Sequence, residues 1–179
     1  MPLTFSHTER INAPVERVFA AATDLDAFAQ WMPGFVGVER LSEGPLGVGA
    51  QFRETRKVHG RDSTEHFEFT AYDPPTGFTL FVDGSQGSTG KGTFTFVHTL
   101  TPLDDGAATE LTLHGEIGGM GRLMELLARL FMGSMKKAVV QDLRSLSAWI
   151  VAQREAPDDA VDVVIRGMLR AVLGEGLLK

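Results

Sequence analysis

Between residues 119 and 153 the apolar side chains recur in steps of three and four. They fall at Met120, Leu123, Met124, Leu127, Leu130 and Phe131, then at Met135, Val139, Leu143, Leu146 and Ile150. That spacing draws one stripe along a helix of about ten turns. A helix of this length cannot bury its stripe against itself, so the rest of the chain must supply a broad apolar surface. Gly133-Ser134 lies near the middle and marks the expected place for a kink.

The preceding residues read as that surface. Residues 3–11 predict a strand. Ala13-Pro14 opens a helix, with Pro14 at the first helical position, Glu16 in the first turn, and Val15, Val18 and Phe19 on the buried side. Thr23 or Asp24 caps a second short helix carrying Leu25, Phe28 and Trp31, which Pro33-Gly34 stops. Six strands follow, at 35–41, 50–58, 63–72, 78–82, 93–101 and 109–117, each ended by turn residues that include Gly, Pro or Asp. Short loops between consecutive strands mean hairpins, and hence an antiparallel meander.

Strand, two small helices, six strands and a long helix is the element order. The chain also carries Ile11-Asn12-Ala13-Pro14 followed by Val15, Val18 and Phe19, then Asp24 and Trp31-Met32-Pro33-Gly34, then Tyr72-Asp73-Pro74-Pro75. Together these resemble the START-like (SRPBCC) helix-grip superfamily, and within it the polyketide cyclase/dehydrase-like branch. The resemblance covers residues 3–153. It implies an α+β fold in which a seven-stranded curved antiparallel sheet wraps a long C-terminal helix and leaves a cavity between them. Residues 1–153 would form the ligand-binding domain, and 154–179 a linker with an additional C-terminal helix. The superfamily includes lipid carriers, cyclases, hormone receptors, chaperone activators and oxygenase subunits, so the likeness constrains fold more than activity.

Composition narrows the partners. A net charge of -6 disfavours nucleic acid and anionic membranes, both of which select a basic face. The absence of cysteine excludes disulfides, cysteine-based zinc sites and thiol catalysis, and fits a cytoplasmic setting. No apolar run approaches the roughly 18 residues of a membrane span, and the polar, alternating start does not read as a signal peptide. The five histidines lie on different strands or turns without ligand spacing, so neither a metal nor another cofactor is expected. Gly84 to Gly92 looks like a phosphate loop, but Ser85 stands where that pattern needs glycine and Gly92 where it needs Ser or Thr. It reads as a hairpin loop over the cavity.

Strand alternation selects the inward face. Phe94, Phe96, His98 and Leu100 share one face, as do Phe52, Glu54, Arg56 and Val58, and Glu65, Phe67 and Phe69. An even-numbered turn at Gly60-Arg61 would set Arg56 opposite Glu65 and Phe52 opposite Phe69, and the buried charges Arg56 and Glu65 are expected to pair. Trp31, Met32 and Phe35 are expected near the cavity mouth, and Met124, Leu127 and Phe131 on its helical wall, where methionine suits an adaptable apolar pocket. Glu54 and His98 remain as polar groups able to move a proton.

Three functions are open. The first is binding or transport of a small hydrophobic molecule such as a lipid. The second is a polyketide cyclase/dehydratase-like enzyme using His98 and Glu54. The third is a chaperone-activator-like interaction module. In the tail, Val161, Val164, Ile165, Met168, Leu169 and Val172 form an apolar side that would pack on the domain or meet a protein partner or a second copy of the chain.

Overall fold

The computed structural model describes residues 3–119 and 122–155, with the side chains of 122–131 and 154–155 left out of account. The elements run β1 (Leu3–Ile11), α1 (Val15–Thr23), a 3-10 turn (Leu25–Ala27), α2 (Phe28–Trp31), β2 (Phe35–Arg40), β3 (Gln51–Val58), β4 (Arg61–Asp73), β5 (Gly77–Asp83), β6 (Thr93–Leu103), β7 (Ala108–Gly118) and α3 (Arg122–Glu155). All seven strands form one antiparallel sheet in the order β1-β7-β6-β5-β4-β3-β2. This is the α+β helix-grip arrangement: a sheet around a terminal helix, with short helices after the first strand. The additional helix expected within 154–179 lies outside the described residues, except that α3 itself continues to Glu155.

Local chemistry sets the ends of these elements. Pro14 stands at the N-cap of α1, one position earlier than expected, where an extended ψ of 150° leads the strand into the helix. Asp24 is the cap of the next turn, accepting from the Asp26 amide at 3.0 Å. Thr23 turns back instead and donates to the Phe19 carbonyl at 2.9 Å. The helix α3 stays helical through Gly133-Ser134.

The β3–β4 turn corrects the expected register. His59 and Gly60 both take positive φ, 50° and 79°, the two-residue mirror-image turn that suits strand twist. The turn therefore sits one residue earlier than Gly60-Arg61. Phe52 faces Phe67, Glu54 faces Glu65 and Arg56 faces Ser63. A shift of two residues preserves which face each side chain occupies, so the aromatic face remains inward.

Inside the curve, Leu143, Leu146 and Ile150 of α3 meet Ile11, Val18, Phe19, Leu25 and Leu111 in the main core. A smaller cluster of Val82, Phe94 and Ile117 packs with Met132 and Met135. Gly115 is the one inward position of β7 without a side chain; a Cβ there would stand 2.3 Å from the ring of Phe5, which lies across it. On the outer face Val97 is exposed, as alternation requires.

Candidate functional site

The main core does not close completely. Between sheet and α3 it leaves a cavity of about 250 Å³, lined by Phe28, Trp31, Met32, Phe52, Phe67, Phe78, Leu80, Phe96, Leu111, Leu113, Val139, Leu143 and Leu146. Ala22 completes the apolar lining, and Glu54, Arg56, His98 and Asp142 are its ionisable groups. The volume lies just below the usual range of ligand pockets, which starts at about 300 Å³.

The polar groups collect on two walls. On β3, alternation carries Glu54 and Arg56 inward beside Phe52. Glu54 stands opposite Glu65 across the β3–β4 pair, an unfavourable like-charge neighbour. Each acid is drawn away from the other. Arg56 Nε donates to Glu54 Oε1 at 2.5 Å, and Arg56 Nη1 donates to Asp142 Oδ2 at 2.8 Å. Glu65 turns to the β5–β6 loop, where its Oε1 accepts from the amide and hydroxyl of Thr89. The expected Arg56–Glu65 pair is therefore replaced by a Glu54–Arg56–Asp142 triad joining sheet to helix.

Burial governs the triad's protonation. Glu54 is 7% exposed. Desolvation raises its pKa above the ordinary carboxylate value, against the pull of Arg56. Asp142 is raised for the same reason. Desolvation works against the Arg56 guanidinium, yet Glu54 and Asp142 together hold its pKa above the usual arginine value.

His98 makes the second wall. It faces Phe78 across the β5–β6 pair, and the rings stack with centroids 4.1 Å apart and planes 12° from parallel. Burial lowers its pKa from 6.5 to about 4, so the imidazole is neutral at physiological pH. Its buried Nδ1 has no hydrogen-bond partner, and neither has Trp31 Nε1. Strands β4 and β5 lie between β3 and β6, and the registers set Glu54 beside Glu65 but His98 beside Phe78 and, beyond it, Tyr72, so the two groups are separated both across and along the sheet.

Of the residues singled out in the sequence, Trp31, Met32, Phe52, Glu54, Arg56, Phe67, Phe96 and His98 border the cavity. The others lie elsewhere. Phe69, 1% exposed, is solid core between Phe52, Tyr72 and Phe78. Phe94 belongs to the smaller cluster. Phe35 packs edge-on against Phe28 behind the lining. Glu65 secures the β5–β6 loop. The side chains of Met124, Leu127 and Phe131 lie outside the described residues.

Sequence reasoning missed the helical wall of Val139, Asp142, Leu143 and Leu146. A stripe is uniform along its axis and does not say which turn faces the hollow. Asp142 did carry a signal: it falls three residues after Val139 and four before Leu146, a carboxylate on an apolar stripe. Phe78 and Leu80 were less legible, because β5 is apolar on both faces at Leu80-Phe81.

Among the described residues no group of His, Asp and Glu is placed to hold a metal ion, and no helix is long and apolar enough to cross a membrane.

Solved structures share this architecture. The Zhui aromatase/cyclase from Streptomyces sp. R1128 superposes with a TM-score of 0.73 at 18% identity, covering 87% of this chain and 98% of that one. The di-domain aromatase/cyclase StfQ of the steffimycin biosynthetic pathway gives 0.69 at 10% identity, over 87% of this chain and 53% of that one. A conserved protein from Geobacillus kaustophilus gives 0.67 at 19% identity, over 84% and 96%. At these identities the likeness is one of fold. A search of curated proteins gives no match. The family model described as polyketide cyclase/dehydrase and lipid transport matches residues 2–148, the whole sheet and most of α3, and the chain belongs to that family.

Proposed function

We propose that this protein binds a small, mostly apolar molecule in the cavity between sheet and α3, with the oxygen- or nitrogen-bearing end of the ligand at the Glu54–Arg56–Asp142 wall. The observation that supports this is the lining itself. Aromatic and aliphatic side chains form most of it, and its ionisable groups gather at two places, the distribution by which a pocket buries a ligand and fixes its orientation.

Native mass spectrometry of freshly purified protein tests the reading. A co-purifying compound, or uptake of an apolar fluorophore that quenches Trp31, is expected for the wild type. Both should be lost in Leu80→Trp, which fills the hollow. A wild type that carries nothing and takes up no fluorophore overturns the reading.

A second reading is an enzyme that moves a proton beside a carbonyl; two structural neighbours are aromatase/cyclases. Neutral His98 with an unpartnered Nδ1 favours it. Two features rank it second. A base with a pKa of about 4 is weak at neutral pH, and Glu54, on β3 rather than on the strand of His98, is committed to Arg56. His98→Ala should abolish turnover of a β-dicarbonyl substrate under this reading, and only soften ligand affinity under the first.

A further inference from the structure

The charge count of the Arg56 wall points to the kind of polar end the ligand carries. Two carboxylates, Glu54 and Asp142, share one guanidinium. No second lysine or arginine borders the cavity among the described residues. With both acids ionised the wall carries one uncompensated negative charge, facing an apolar hollow. Arg56 spends Nε on Glu54 and Nη1 on Asp142. No hydrogen bond among the described residues reaches the second oxygen of either acid. Glu54, the most deeply buried of the three, thus borders the cavity with an acceptor left open.

An anionic ligand would double that excess negative charge, and beside a neutral one the wall could lose it only by taking up a proton, the direction in which burial already moves both acids. A cation would cancel the excess while donating to the open oxygens. The surrounding rings agree: Trp31, Phe28, Phe52 and Phe67 border the same hollow, and aromatic faces attract ammonium groups. We propose that the ligand is a small hydrophobic amine, bound as its ammonium form, and that Arg56 serves to position Glu54 and Asp142 rather than to receive an anion. This rests on the binding reading above and specifies its ligand class.

Isothermal titration with three compounds on one skeleton tests it: naphthylethylamine, naphthylethanol and naphthylacetate. The wild type should bind the amine about tenfold more tightly than the alcohol, with the carboxylate weakest. Glu54→Gln and Asp142→Asn should each weaken the amine by about tenfold and change the alcohol by less than about threefold. Each variant removes one charge and keeps the shape, and either one alone suffices should the other fail to fold. Equal binding of all three compounds, or preference for the carboxylate, overturns the amine proposal and leaves the binding reading standing. Failure of all three to bind wild-type protein overturns both.

Discussion

The two polar walls of the cavity solve the same problem in opposite ways. At Arg56, three ionisable groups are kept inside the fold by being paired, with one guanidinium bridging a carboxylate on its own strand and another on α3. At His98, one imidazole is kept inside by giving up its charge and lying flat on Phe78. Desolvation acts on both walls and penalises the charged form. Where a partner stands within hydrogen-bond distance, the charge survives and the pair couples two elements. Where only the backbone of Phe96 and Phe78 opposes burial and no charged partner does, the group sheds its proton, and stacking sets its position. The first wall should therefore fail when a partner is removed, and the second when a proton is forced onto it.

The largest effect is expected from Arg56→Met. It leaves buried Glu54 and half-buried Asp142 without their cation and should destabilise the fold by about 3–5 kcal/mol at neutral pH, read from the midpoint of urea unfolding. Much of that loss should return on acidification, because protonating Glu54 and Asp142 removes the unpaired charge. A loss below about 1 kcal/mol would break the comparison. It would mean that the acids hold themselves inside by taking up protons, as His98 does by releasing one.

His98 tests the other wall through pH. Its folded pKa, about 4, lies below its ordinary 6.5, so between these values the unfolded chain binds a proton that the folded chain refuses. Its contribution is complete above pH 6.5 and is lost as pH falls toward 4, by about 3 kcal/mol. Glu54 and Asp142 shift upward, which adds stability toward acid and opposes this trend. The wild type alone mixes the two effects. The stability difference between wild type and His98→Gln isolates the histidine and should shrink steadily from pH 7 to pH 4. A difference independent of pH would show that His98 titrates as it does in water, and that the wall is wet.

The contrast also marks how far the chain could be read before folding. Elements and faces were legible because they depend on period: the stripe through Leu143, Leu146 and Ile150 and the alternation through Phe94, Phe96 and His98 are local patterns that a fold must honour. The partner of Arg56 was not legible. Sequence spacing fixed its face but not its register, which the positive φ of His59 shifted by two residues, from Glu65 opposite to Ser63 opposite. Nor does any strand pattern say which turn of α3 crosses β3, and Asp142 enters the site only through that crossing. The neutrality of His98 was half legible: an inward imidazole on an aromatic strand could be placed, but its stacking on Phe78 depends on the β5–β6 pairing.

The smallest effect sharpens the comparison most. If stacking rather than a hydrogen bond positions His98, then Phe78 and His98 should be coupled energetically. Phe78→Leu alone will not show this, because the ring also packs edge-on against Phe19 and tilted against Phe69, and those contacts contribute to any loss. A double-mutant cycle with His98→Gln removes the shared contributions. A coupling of about 1 kcal/mol is expected at pH 8, where the imidazole is neutral, measured by urea unfolding of the four proteins. A coupling near zero would mean that the ring is held by the shape of the cavity and is free to turn Nδ1 toward a ligand. In that case the His98 wall would be the adaptable side of the site, with the Arg56 wall as its fixed reference.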